Sequence, residues 1–255
     1  MQENIILAGV GGQGILSIAY VVDNAALDAG LQFKQAEVHG MSQRGGAVQS
    51  HLRYSDQPIH SDLIPLGRAD MVLSVEPLEV LRYWHYLAPD GWVVTSVTPY
   101  VNIPDYPPID DLLEELATFA NLVLVDAGQV ARAAGNMRAQ NMVVLGAASN
   151  QIELTEDQLL KHVETLFLRK GEKVVEVNRR AFSFGRAVGG FYRGLNDRGV
   201  GPLEALALCR RLDPASIDPV HAEAWASFAA AEPNKLREIL AGDGAIACDQ
   251  VTALA

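Results

Sequence analysis

The chain is short of cysteine, short of basic residues and free of long apolar runs, and each shortage excludes something. Its two cysteines, Cys209 and Cys248, lie far apart and show no C-x-x-C spacing. An iron–sulfur cluster takes about four thiolates, so none is expected on this chain. Two free thiols in a reducing cytoplasm is the reading that fits. Lysine and arginine total 20 against 31 acidic residues, for a formal net charge of −11. A nucleic-acid partner wants a basic face, so that class is set aside. No apolar stretch approaches the ~20 residues of a membrane span, and the first expected strand begins too close to the N-terminus for a signal peptide. His51, His60, His85, His162 and His221 show no metal-ligand spacing, and no metal site is expected. Against these shortages, 49% of the 255 residues are hydrophobic, enough to bury a sizeable core in one large domain or one domain plus an appendage.

What is present is organised around residues 4–14, N-I-I-L-A-G-V-G-G-Q-G. A short apolar run fits a buried strand, and a helical pattern starts at Ile15. Between them stand Gly9, Gly11, Gly12, Gln13 and Gly14. Strand, glycine turn and helix open a Rossmann-like, doubly wound α/β sheet. A tight turn uses positive φ, and a missing Cβ lets backbone amides approach an anion at the helix start. The same glycines serve equally well for close packing, and the sequence leaves both readings open.

Further strands are expected at 31–38, 47–54 (with one wet face), 71–75, 92–97 and 122–125. Helices are expected at 15–29, from Pro77, at 111–120, 129–134, 141–148, 156–168 and 177–190. Glu76 and Glu79 read as helix-start charges favoured by the dipole, Thr155 and Gln158 as a capping box. Pro89-Asp90-Gly91 reads as a turn and 99–108 as a crossing loop. From about Gly194 the texture becomes alanine-rich helix, giving a main domain over 1–192 and a helical C-terminal extension over 193–255.

The least ordinary segment is 37–46, E-V-H-G-M-S-Q-R-G-G. It leaves the second strand, which puts it beside the first glycine turn at the carboxyl edge where α/β sheets bind ligands. His39 offers proton exchange near neutral pH and Arg44 a grip on phosphate or carboxylate. Ser42 adds a hydroxyl between flanking glycines that include Gly45 and Gly46. A mobile surface loop is the alternative. Glu37, near the end of the second strand, keeps a ribose-binding role and hence a stand-alone NAD-binding oxidoreductase open. A noncatalytic module sensing a nucleotide or acyl-CoA stays open as well.

Five segments in order are similar to one known family: 9–14, 37–46, 61–79 (with Leu63-Ile64-Pro65 and Glu76-Pro77-Leu78-Glu79), 141–146 and 178–185. Together, over roughly residues 1–190, they resemble the gamma-type domain of the 2-oxoacid:ferredoxin oxidoreductases, the indolepyruvate type in particular. The resemblance implies a subunit, inactive alone, of an enzyme that converts an aryl 2-oxoacid and coenzyme A to acyl-CoA, carbon dioxide and reduced ferredoxin. It implies that thiamine diphosphate and iron–sulfur clusters sit in a larger alpha subunit, with ferredoxin as a further partner and the cytoplasm as location. The chain has no G-D-G followed by paired asparagines that would bind thiamine diphosphate itself. On this reading His39, Ser42 and Arg44 form the catalytic wall. Gly9, Gly11, Gly12, Gln13, Gly14, Gly45 and Gly46 then take a cofactor phosphate. Arg44 anchoring the loop to the partner subunit is the competing role.

Overall fold

The computed structural model describes residues 1–39 and 45–251, with the backbone alone at His39. The elements run β1 (Gln2–Val10), α1 (Ile15–Asp28), β2 (Gln32–His39), β3 (Ala47–Ser55), β4 (Ala69–Ser74), α2 (Pro77–Tyr83) and β5 (Leu87–Ser96). They continue through α3 (Ile109–Leu116), β6 (Leu122–Val125), α4 (Ala127–Ala134), α5 (Gln140–Ala148), α6 (Glu156–Phe167) and α7 (Glu172–Asn196). Three helices end the chain: α8 (Pro202–Arg211), α9 (Ala222–Ala231) and α10 (Pro233–Ala241). The expected α/β, Rossmann-like class is what forms. One six-stranded sheet has the order β2-β3-β1-β4-β5-β6.

Parallel pairing joins β1, β4, β5 and β6, whereas β3 runs antiparallel to both β1 and β2. The second strand therefore sits at the sheet edge, with β3 between it and β1. That insertion changes the character of β3. Expected to have one wet face, it is buried along almost its whole length, including Gln49, Ser50, His51 and Ser55, because α1 packs on it and the 61–64 segment bonds to His51 and Arg53. Its polar groups are satisfied locally: the Ile64 amide donates to His51 Nδ1 at 3.0 Å.

Two other expectations change. Pro89-Asp90-Gly91 is no turn but lies inside β5. Between the partner pairs Ala69–Leu87 and Met71–Trp92, β4 advances two residues and β5 five, so the surplus is taken up as a bulge. The helix expected over 177–190 runs the whole of Glu172–Asn196. Its glycines do not break it, since each makes room for a close neighbour: Gly185 and Gly189 face α5, a Cβ on Gly185 lying 2.0 Å from the Val143 carbonyl oxygen, while Gly190 faces Pro219 and Gly194 faces Ala222. The α6 start is as expected, Thr155 and Gln158 forming a capping box.

Helix α1 covers β1 to β3 and α5 covers β4 to β6, with α7 packed over α5; α2 packs on β1, β4 and β5. The C-terminal helices close on β6 and α7. Arg210 on α8 holds Asp126 at 2.9 Å, and Asp126 in turn caps α4 through the Gln129 amide. No described helix is long and apolar enough to cross a membrane.

Candidate functional site

The glycine turn sits at the carboxyl end of β1, and its bonding shows what each residue does. The Gln13 side chain folds back, its Oε1 accepting from the Val10 amide at 2.7 Å, so it holds the turn itself. A Cβ on Gly9 would approach Ile15 Cδ1 at 2.6 Å, and one on Gly14 would approach Asn141 Nδ2 at 2.5 Å. Those two glycines serve packing. Gly14 also has a positive φ, +84°, as does Gly12 at +103°, but a Cβ on Gly12 meets nothing within 4 Å. The Gly11 amide donates to the Gly46 carbonyl at 2.8 Å, and the Gly45 amide to the Gly11 carbonyl at 3.2 Å. The amides of Gly12 and Gly14 have no acceptor among the described residues. They remain, with the first turn of α1, as donors suited to an anion.

The reciprocal pairing of Gly11 with Gly45 and Gly46 fixes one end of the 37–46 segment against the turn. The other end is the β2 terminus, where His39 pairs Val48 beside Ala47 and Val10. Both flanks thus lie at the same edge, as the sequence predicts. Ser42, Arg44 and the His39 side chain lie outside the described residues. Glu37 is on the edge strand, with β3 between its strand and β1, so it does not occupy the adjacent-strand position from which an acid holds a ribose.

Beside Gly12 lies a cavity of about 390 Å³, bounded by Gln13, Thr98, Tyr100 and Arg138 with Val75 at its back. Its walls come from the carboxyl ends of β1, β4 and β5 and from the turn before α5. The Thr98–Tyr100 wall is braced by Glu76, a buried carboxylate. Glu76 Oε2 caps α2 through the Glu79 amide at 3.0 Å, and its Oε1 receives the Tyr100 amide at 3.3 Å and the Tyr106 hydroxyl. The expected helix-start role for Glu76 is met, with loop anchoring added. Asn102 on the same loop donates to the Gly45 carbonyl at 2.8 Å. Glu79 is buried behind this wall; burial pushes its carboxyl up to about 7, against the pull of Arg82 at 3.1 Å. Arg138 has no carboxylate partner among the described residues, so its charge is available to the cavity. Thr98, Tyr100 and Arg138 carry no motif in the sequence, because only the strand order brings them to Gly12.

The described residues offer no set that fits a metal or an iron–sulfur cluster. Among the described residues no three His, Cys, Asp or Glu side chains gather to hold an ion. Cys209 and Cys248 are buried in the C-terminal helical region, where burial raises both thiols above their usual range and so disfavours the thiolate a ligand needs. The glycine turn does fit an anionic group of a cofactor, through the Gly12 and Gly14 amides and Arg138.

The sequence profile of the family described as pyruvate ferredoxin/flavodoxin oxidoreductase matches residues 4–188. The indolepyruvate oxidoreductase subunit IorB of Thermococcus kodakarensis is 37% identical over 194 residues, 72% of this chain and 94% of that protein. Among solved structures, the keto/oxoacid ferredoxin oxidoreductase gamma subunit of Geobacter sulfurreducens is similar with a TM-score of 0.56 at 24% identity, covering 73% of this chain and 95% of that one. The 2-oxoglutarate:ferredoxin oxidoreductase of Magnetococcus marinus, solved with 2-oxoglutarate, coenzyme A and succinyl-CoA, gives a TM-score of 0.60 at 24% identity over 73% of this chain and 30% of that chain. At that identity these two likenesses speak for the fold.

Proposed function

The chain belongs to the pyruvate ferredoxin/flavodoxin oxidoreductase family, as a subunit of a 2-oxoacid:ferredoxin oxidoreductase, and on that premise we propose that it is the small subunit of an indolepyruvate-type enzyme. The reaction is oxidation of an aryl 2-oxoacid with coenzyme A to the aryl-acetyl-CoA, carbon dioxide and reduced ferredoxin, in the cytoplasm. Thiamine diphosphate and iron–sulfur clusters, held by a larger alpha subunit, supply the decarboxylation and electron-transfer chemistry. This chain's residues bind, orient and exclude water. Identity across nearly the full length of an indolepyruvate oxidoreductase subunit supports the substrate class. The observation that carries a site role is the Gly11–Gly45/Gly46 pairing, which binds one end of the 37–46 segment to the rim of an anion-competent cavity. Gly12 and Gly14 amides and Arg138 receive an anionic group of coenzyme A. Arg44 contacts the same ligand or the oxoacid carboxylate, and His39 and Ser42 complete the wall.

The test is anaerobic recovery of the complex from its native cell, followed by mass analysis, an absorption spectrum and a coenzyme-A-dependent assay with aryl pyruvates. A larger companion with iron–sulfur absorbance and turnover of indolepyruvate supports the reading. A colourless chain without companion, binding NAD(H) alone, replaces it. Within the complex, Arg44→Ala is expected to slow turnover at least tenfold while leaving the partner bound, since a charge-assisted contact to an anion contributes on that scale. Loss of assembly instead would make Arg44 an interface residue.

A further inference from the structure

A second cavity, of about 370 Å³, lies between the turn preceding α5 and the junction of α6 with α7. Its size suits a mononucleotide-scale ligand. Three features converge there. First, Arg138, Lys170 and Lys173 all line it, and none has a carboxylate partner among the described residues. In a chain with 31 acidic and 20 basic side chains, cations elsewhere find acids readily: Arg82, Arg186 and Arg210 hold theirs at 2.9–3.1 Å. Three unpaired cations around one hollow therefore concentrate positive potential in an otherwise acidic molecule. The exposed Glu172 is the acid nearest along the chain, and the cluster outnumbers it.

Second, the interior between those charges is apolar, built from Ala139, Phe167, Val174 and Val177. Lys170 Nζ stands 5.2 Å from the Phe167 ring centroid, a cation beside an aromatic surface. Third, Asn178 lines the cavity at 6% exposure. Its Nδ2 donates to the Val174 carbonyl at 2.8 Å, while its Oδ1 has no partner among the described residues. That oxygen stays accessible where Asn178 lines the cavity, and can accept from a ligand N–H. The cavity thus suits a ligand with an N–H donor beside Asn178, an apolar flat body and at least two negative groups beside the three cations.

We propose that this cavity binds an adenosine diphosphate group, the exocyclic amino group meeting Asn178 Oδ1, the base lying on Phe167 and Val177, and the phosphates held by Lys170, Lys173 and Arg138. The site is distinct from the cavity at Gly12, although Arg138 borders both. It does not rest on the proposed reaction. Two sources carry this group, a free nucleotide and the nucleotide end of coenzyme A.

Calorimetric titration of the full chain with ADP, IDP and pyrophosphate tests the assignment. ADP is expected to bind at least tenfold more tightly than IDP, which replaces the amino group by a carbonyl, and than pyrophosphate, which lacks the base. Lys170→Ala with Lys173→Ala is expected to weaken ADP at least tenfold, and Asn178→Leu to abolish the preference over IDP. Lys235→Ala, removing a cation paired with Glu232 at 3.3 Å, is expected to change neither. Competition by coenzyme A assigns the site to that source, and its absence to a free nucleotide. No ADP binding at millimolar concentration, or binding unaltered in the double lysine variant, overturns the proposal. Because the two lysines are exposed, that variant keeps its fold and the test stands even where Asn178→Leu does not fold.

Discussion

At Gly146 and Gly185 a Cβ would lie 2.0 Å from carbonyl oxygens of the facing helix, those of Phe182 and Val143. At Gly12 and Gly45 it would meet nothing within 4 Å, yet both residues have positive φ, +103° and +77°. The first pair sets a distance between α5 and α7; the second sets a backbone path at the ligand edge. A fold that places some glycines at near-contact of backbones and others along an open edge of positive φ has a rigid platform beneath a site. The two uses respond differently to the same added methyl group, and that difference is measurable.

The largest effect is expected at the platform. Gly185→Ala forces α7 off α5 through backbone that cannot turn aside, and is expected to cost about 3 kcal/mol or more. The urea midpoint would fall with little change in slope. A loss under about 0.5 kcal/mol would mean the helices separate freely and the platform is not rigid.

A second, smaller effect is expected from a carboxylate buried in α1, the helix that the glycine turn launches. Asp23 is 5% exposed, and its Oδ1 has no hydrogen-bond partner among the described residues. Burial, with a contribution from Glu37, pushes its carboxyl from 3.8 up to about 7. The folded state thus holds this proton where the unfolded chain has released it. Stability is unaffected below about pH 4, falls as pH rises from there to about 7, and stays reduced above. Asp23→Asn removes the penalty, so the variant is expected to be more stable at pH 8 by on the order of 2 kcal/mol and nearly equal at pH 4. Denaturation at the two pH values checks it, and a variant weaker at pH 8 would assign the ionised carboxylate a stabilising partner.

The link between the two regions is Asn141, which reaches from α5 to donate to the Gly14 carbonyl at 3.2 Å. Asn141→Ala removes that tie while the Ser17 and Ile18 amides still donate to the carbonyl, and is expected to cost about 1.5 kcal/mol, the upper end for one hydrogen bond. Combined with Gly14→Ala it should cost less than the separate losses added together, because a Cβ on Gly14 collides chiefly with Asn141 itself. Strict additivity would show that the turn does not lean on α5.

How far the sequence foretold this arrangement follows from the range of its signals. Period and capping placed most strands and helices within a few residues, since local chemistry decides those. The glycine turn and the 37–46 segment read as neighbours, and the flanks of that segment do meet the turn. The antiparallel insertion of β3 was hidden, because strand polarity is settled by sheet pairing, which no short window contains. Pro89-Asp90-Gly91 carries turn chemistry that a bulge satisfies equally well. In α7, Gly185 and Gly189 lower helix propensity in isolation but are required by the facing backbone of α5. Arg138, Thr98 and Tyr100 carry no motif, and only the order of β1, β4 and β5 brings them together.

The smallest effect on stability is expected at Gly12, and it is the one that bears most directly on function. Gly12→Ala adds a methyl to open space but forces a side chain to a φ of +103°, which should cost about 1 kcal/mol. Gly12→Asn is expected to recover part of that loss, since asparagine tolerates positive φ better than alanine. In the assembled enzyme the order should invert. Both side chains project beside the cavity next to Gln13 and Arg138, so both are expected to raise the KM for coenzyme A at least tenfold, asparagine no less than alanine. If activity instead tracked stability, with asparagine the better variant on both counts, Gly12 would be a conformational glycine and the amide cradle would have no ligand. If stability and KM part company, the open edge is a binding surface, and its contrast with the closed α5–α7 platform is functional as well as geometric.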